Sequence, residues 1–247
     1  MPEATSPTLL YGIGLGPGNP DYMTVKARRL LEEADLLVHF CKAGVRGNAR
    51  TIADKVIGAD PARELALVYP VTTEVPVTDP TYRCGIHTFY EDCANRLAAE
   101  LNAGRRVSVL CEGDPFFYGS FMHLWRRLAP RFPTEVIPAV SGMSAAWTHA
   151  EAPITWGDDV LTVLPGTLGA DDLTRRLKDT DAAVIMKLGR HLPKVRAALR
   201  AAGLEERAIY AERASMADEI IVPLSERSDD PAPYFSMILV PGNGRRL

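Results

Sequence analysis

Apolar runs alternate with helix-spaced apolar patterns along nearly the whole chain. Short runs at residues 9–15, 36–39, 107–111, 135–137, 160–164, 183–186, 208–211 and 237–240 predict strands. Between them, apolar positions recur at three- and four-residue steps. The clearest pattern predicts a helix over residues 82–103, where Ile86, Phe89, Tyr90, Cys93, Leu97 and Leu101 share one face. Gly104 is its expected stop. Such alternation predicts α/β layers with mainly parallel strands. The breakers in Ala129-Pro130-Arg131-Phe132-Pro133 predict a hinge, hence one α/β domain over residues 1–130 and a second over 134–247. Residues 69–80, rich in Pro, Thr and Val, read as an irregular loop long enough to line or cover a site.

Composition agrees with that picture and removes several classes of function. A chain of 247 residues can hold two domains with real cores. Its 47% hydrophobic and 24% charged content is ordinary for a globular protein. A net charge of -3 supplies no field toward nucleic acid or anionic lipid. No apolar run approaches the roughly 18 residues of a membrane span. The opening MPEATSPT lacks the basic flank and apolar core of a signal peptide, so a cytoplasmic location is expected, with neither nucleic acid nor membrane as partner. Cys41, Cys84, Cys93 and Cys111 show no metal-ligand spacing, so no metal is expected and the thiols read as incidental or buried.

Candidate chemistry gathers in three stretches where an apolar strand meets a turn poor in side chains. The first is Y-G-I-G-L-G-P-G-N-P-D-Y-M-T-V-K-A, from Tyr11 to Ala27. It is not a P-loop, because Gly18 is followed by Asn19 and Pro20 rather than Lys-Ser or Lys-Thr. It is not the dinucleotide fingerprint either, since the final glycine is missing from both possible registers. What remains is a strand, a stiffened glycine turn that leaves room for a flat ligand, and a helix opening at Thr24. The second stretch, L-C-E-G-D-P-F-F-Y-G-S-F-M-H-L-W, repeats the design at Glu112-Gly113-Asp114-Pro115. Asp114 could cap the helix that follows, while Phe116, Phe117 and Tyr118 beside a carboxylate suit a planar ligand with a positive centre. The third, I-P-A-V-S-G-M-S-A-A-W, places Ser141, Gly142 and Ser144 at another helix start. His123 and His149, on predicted helices, and the acid pairs Asp158-Asp159 and Asp171-Asp172 read as ordinary structural residues.

The order of these three motifs resembles the tetrapyrrole (corrin/porphyrin) methylases over nearly the whole chain, with D-L-L-V-H-F, V-I-M-K-L-G and Y-A-E-R-A-S falling in step. The resemblance implies two α/β domains with S-adenosylmethionine folded into the cleft between them, S-adenosylhomocysteine as the spent form, and a homodimer. Position by position it implies cofactor contacts at Pro17, Glu112, Gly113, Asp114, Phe117, Ser141, Gly142, Met186 and Ala214. Glu112 departs from the family, which has glycine there. Phe40 departs too: many relatives that methylate outer pyrrole carbons have an acid at that place. The motifs are most similar to the branch that methylates carbon 20 of precorrin-2 in aerobic cobalamin synthesis. The alternatives are the cobalt-containing substrate of the anaerobic route and a non-catalytic module that senses S-adenosylmethionine or a nucleotide. For a base that removes a proton from the ring, the candidates are Glu112, Tyr118 and His39. A polyacid tetrapyrrole calls for cations and donors at the rim, and Lys187, Arg190, Arg46, Arg83 and His87 are the candidates, with Lys42 nearby.

Overall fold

All eight apolar runs form strands, and helices fill the intervals. The computed structural model describes residues 9–70 and 80–244, with residues 80–83 described by their backbone. Most of the loop expected over residues 69–80 therefore lies outside the described residues, as does the side chain of Arg83. Contacts divide the chain into two units, Met1–Ser141 and Gly142–Leu247.

The first unit runs β1 (Leu10–Gly14), α1 (Val25–Glu33), β2 (Leu36–Cys41), α2 (Asn48–Ile57), β3 (Glu64–Val68), α3 (Pro80–Asn102), β4 (Val107–Cys111), α4 (Phe121–Leu128) and β5 (Thr134–Ile137). Its five strands lie in the order β3-β2-β4-β1-β5, and every pair is parallel. Period-two alternation splits the core across the sheet. Leu37 faces Leu31 and Ile52 of α1 and α2, while Leu36 and Val38 face Leu97 and Leu124 of α3 and α4. The long helix ends as expected, with Gly104 in the left-handed region just beyond it. The expected hinge at residues 129–133 falls inside this unit. The reason is β5, which begins at Thr134 and pairs along the free side of β1 with Ile13 opposite Ile137. The division between units comes later, after Ser141.

The second unit runs α5 (Gly142–His149), β6 (Leu161–Pro165), α6 (Ala170–Lys178), β7 (Ala182–Met186), α7 (Leu192–Ala201), β8 (Ile209–Glu212), β9 (Ile220–Pro223) and β10 (Ser236–Val240). Its sheet order is β6-β7-β10-β8-β9. Here the expectation of mainly parallel strands is corrected: only β6 and β7 pair in parallel, and the other three pairs are antiparallel. The connection over residues 213–219 is too short for the crossover that a parallel neighbour requires. Helices α6 and α7 cover one face through Leu173, Leu177, Leu192 and Val195, and α5 packs on the other through Ala146. The apolar runs missed β3 and β9, which are both edge strands. Among the described residues no helix is long and apolar enough to cross a membrane.

Candidate functional site

In an open parallel sheet, ligands sit outside the carboxyl ends of the strands, and the first two candidate loops leave that end side by side. Strands β1 and β4 are neighbours, with Gly14 opposite Cys111. Beyond the strands the loops stay joined. Leu15 N–H donates to the Cys111 carbonyl at 3.0 Å, and Gly113 N–H donates to the Gly16 carbonyl at 2.9 Å. The glycines make this approach possible. A methyl on Gly14 would lie 2.6 Å from Ala139 Cβ and 2.8 Å from the Gly113 carbonyl oxygen. Gly12 faces the Phe121 ring at a distance that admits no side chain, and Gly16 turns with φ +83°. The bare backbone of the first motif thus serves first to press two loops together. Pro17 is buried within that turn, and Thr24 caps α1 by accepting the Ala27 N–H at 3.1 Å.

Asp114 ties in a third loop. One carboxylate oxygen accepts the Phe116 N–H at 2.9 Å, and the other accepts the Ala139 N–H at 3.2 Å, just after β5. It therefore closes its own turn and joins the loops after β4 and β5. It does not cap α4, whose N-cap is Ser120. Phe117 and Tyr118 follow with ring centroids 4.9 Å apart. Tyr118 is 44% exposed and sits at φ 55°, a left-handed conformation that costs a non-glycine residue about 1–2 kcal/mol.

The three base candidates are placed very differently. Tyr118 is open. His39, on β2, is 4% exposed, and its Nδ1 is buried without a hydrogen-bond partner. Burial pulls its imidazole below the ordinary histidine range, and it presents almost no surface from which to reach a substrate. Glu112 is half-buried at the end of β4. Burial pushes its carboxyl up, against backbone N–H bonds from its own amide and from Ala49 in the first turn of α2.

The cation candidates separate as well. Arg46 is engaged by the protein's own acids: its Nη2 lies 2.8 Å from Asp54 Oδ1 and 3.3 Å from Glu64 Oε1. Arg50 is fully buried beside it, with Nη2 2.7 Å from Glu64 Oε1. That pairing uses the guanidinium that the rim reading assigned to a substrate carboxylate. His87, on α3, lies 3.8 Å from Glu91 and 3.4 Å from Arg127 Nη2, in a surface group joining α3 to α4. Lys187 and Arg190 are both exposed after β7, and partial burial pulls the Lys187 ammonium below the usual lysine range.

In the second unit, Gly142, Met186 and Ala214 belong to one neighbourhood. Met186 and Ala214 pack on the same small core as Met237, and a methyl on Gly142 would touch Met237 Cε at 3.5 Å. Strained backbone marks the strand ends here. Lys187 sits at φ 57°, Arg213 at 49° and Ser215 at 73°. Composition and periodicity carry no sign of such strain, and Arg213 and Ser215 went unnoticed for that reason. Ser215 is buried, its Oγ lacks a partner, and its N–H donates to Glu219 Oε2 at 2.8 Å. Glu219 also pairs with His149 Nδ1 at 2.9 Å, tying this loop to α5. The largest hollow of the first unit, about 490 Å³ between Trp125 and Thr134, opens at the amino end of β5, opposite the candidate loops.

Comparisons with known proteins bear on these loops. The sequence model of the tetrapyrrole (corrin/porphyrin) methylases matches residues 9–228. A precorrin-2 C(20)-methyltransferase from Sinorhizobium sp is 53% identical over 233 residues, covering 94% of this chain and 95% of its own. A cobalt-precorrin-2 C(20)-methyltransferase from Salmonella typhimurium is 28% identical, covering 94% and 95%. The crystal structure of uroporphyrin-III C-methyl transferase from Thermus thermophilus, complexed with S-adenyl homocysteine, aligns with a TM-score of 0.64. That match is 22% identical and covers 93% of this chain and 96% of that one, so it speaks for the fold.

Proposed function

Because the chain belongs to the tetrapyrrole (corrin/porphyrin) methylases, we propose that it is an S-adenosylmethionine-dependent enzyme that methylates carbon 20 of precorrin-2, yielding precorrin-3A for cobalamin. The observation that carries this reading is the near-full-length likeness to the Sinorhizobium enzyme, far stronger than that to the Salmonella enzyme named for cobalt-precorrin-2. When bound, S-adenosylmethionine supplies an electrophilic methyl on a sulfonium and departs as S-adenosylhomocysteine. A carbon–carbon bond forms at carbon 20 as the carbon–sulfur bond breaks, and the proton on carbon 20 passes to a base.

The chain's own part is to hold, aim and exclude water. Pro17, Gly113, Asp114, Phe117 and Ser141 are the first unit's proposed cofactor residues, and Gly142, Met186 and Ala214 the second unit's. Joined loops with little side chain leave backbone N–H and C=O groups to meet a nucleoside. Lys187 and Arg190 are the proposed partners of substrate carboxylates. Of the three base candidates, Tyr118 has the exposure the role needs. The working form is proposed to be a homodimer in the cytoplasm, and light scattering tests the first part.

The deciding experiment incubates the purified chain with S-adenosylmethionine and precorrin-2 and weighs the product. Gain of one methyl, with less from cobalt-factor II, is the expected result. Failure to bind S-adenosylmethionine in a calorimeter would remove the methyl-transfer reading. Tyr118→Phe then tests the base: kcat should fall at least tenfold, within the range for losing a general base, with cofactor affinity kept.

A further inference from the structure

Helix α2 begins without a cap of its own. Its N-cap residue is Gly47, which has no side chain to accept the orphan N–H groups of the first turn. Serine, threonine, aspartate or asparagine would ordinarily stand there. The backbone of Gly47, at φ -64° and ψ 138°, would allow any of them. Space does not. A Cβ at Gly47 would lie 2.6 Å from His39 Nδ1 and would run into the Phe40 carbonyl oxygen. The strand β2, one layer below, closes the position to every residue but glycine.

The missing acceptor comes from another strand. Glu112 follows the last residue of β4, and its carboxyl accepts the N–H of Ala49. Ala49 is the second residue of α2, one of the two whose N–H an N-cap side chain normally takes. Strands β2 and β4 pair only as far as Val38 opposite Val109. Beyond that point the first turn of α2 and Glu112 meet. The same helix touches the other candidate loops. Lys55 Nζ lies 3.4 Å from the Gly18 carbonyl oxygen of the glycine turn. Arg50 anchors the helix to Glu64 at the start of β3. Helix α2 thus spans the loops after β1 and β4, and the chain from Lys42 to Arg46 leads directly into it.

We infer that Glu112 is a positioning residue: a cap supplied in trans that fixes the first turn of α2, and with it the loop of residues 42–47, beside the cofactor-side turn at Gly113 and Asp114. This rests on the methyltransferase reading for its kinetic consequence, though not for its structural one. It assigns a role to the residue by which this chain departs from the glycine of its family. It also separates Glu112 from the base candidates, since its acceptor oxygen is already bonded to the protein.

The test compares Glu112→Gln, Glu112→Ala and Glu112→Gly in the full chain. The amide of glutamine keeps an oxygen that can accept the Ala49 N–H; alanine and glycine keep none. Backbone amide exchange is measured first. Exchange at Ala49 should quicken about tenfold in the alanine and glycine variants, the scale of a lost cap, and stay near the parent in the glutamine variant. Unchanged exchange at Ala49 in Glu112→Ala would overturn the proposal, whatever the enzyme's substrate. Kinetics come second. The KM for the tetrapyrrole should rise about five- to tenfold in Glu112→Ala with kcat within about twofold, and Glu112→Gln should restore it. A hundredfold loss of kcat in Glu112→Gln would make Glu112 the base and overturn the proposal. A lower Tm with no change in KM would overturn it too, leaving a cap of purely structural effect.

Discussion

Adding a single methyl at Gly14 tests whether the first motif is bare for packing or for a ligand. In Gly14→Ala the new Cβ would lie 2.6 Å from Ala139 Cβ, 2.8 Å from the Gly113 carbonyl oxygen and 3.0 Å from the Ile137 carbonyl oxygen. Ordinary carbon contacts are about 3.5–4 Å, so relief needs close to an ångström of movement. None of the three obstacles is a flexible side chain. Overpacking of this kind costs about 1–3 kcal/mol. Pushing Gly113 and Ala139 away also strains two hydrogen bonds, Gly113 N–H to Gly16 and Ala139 N–H to Asp114, each worth about 1 kcal/mol. The expected loss is about 3 kcal/mol. Gly44→Ala is the control. Gly44 has φ +70° and nothing within 4 Å, so only backbone strain of about 1 kcal/mol applies. Urea unfolding of both variants, with m compared to the parent, and calorimetric titration with S-adenosylmethionine are the assays. Gly14→Ala should be the less stable by about 2 kcal/mol and should bind the cofactor more weakly. If the two variants were equally stable while only Gly14→Ala lost cofactor binding, the packing argument would be wrong and the glycine would stand there for the ligand.

Two further outcomes follow from the same geometry. Asp114→Asn offers one oxygen where two N–H groups wait, so it should cost about 1–2 kcal/mol in urea unfolding and weaken S-adenosylmethionine binding, with Asp114→Ala worse on both. Equal behaviour of the Asn variant and the parent would remove the three-loop tie. Glu64 carries the acid limb of stability. Burial raises its carboxyl, but the guanidiniums of Arg50 and Arg46 outweigh burial and bring it from 4.5 to about 2. A carboxylate depressed by folding stabilises above its unfolded value. Its contribution, on the order of 3 kcal/mol, should therefore be full above about pH 4.5 and vanish as pH falls toward 2. Plots of stability against pH for Glu64→Gln and the parent should converge over that window, and parallel plots would refute the assignment.

What was legible in the chain was local, and what was hidden was partnership across it. The turns at Gly14-Leu15-Gly16-Pro17 and Glu112-Gly113-Asp114-Pro115 announce themselves because a strand, a breaker cluster and a helix start lie within a few residues of each other. The antiparallel half of the second sheet could have been read too. A connection as short as residues 213–219 forbids a crossover, but the apolar run at Ile220 had first to be counted as a strand. Other features leave no local trace. Asp114 reads as a cap for the next helix, whereas the fold turns its second oxygen to Ala139. His39 reads as a base in a loop-proximal strand, and only the packing of Gly47 over it shows that its ring is sealed. Arg46 reads as a rim cation until Asp54 and Glu64 are brought beside it. These three share one cause. A polar side chain declares its chemistry in sequence, but the group that satisfies or buries it is chosen by the fold. The left-handed residues Tyr118, Lys187, Arg213 and Ser215 make the converse point. Nothing in their chemistry demands a positive φ, so the surrounding structure must impose it. That three of the four adjoin residues assigned to the cofactor or stand among the base candidates (Tyr118 beside Phe117, Lys187 beside Met186, Arg213 beside Ala214) puts the strain where the candidate chemistry is, although the motifs were selected without it.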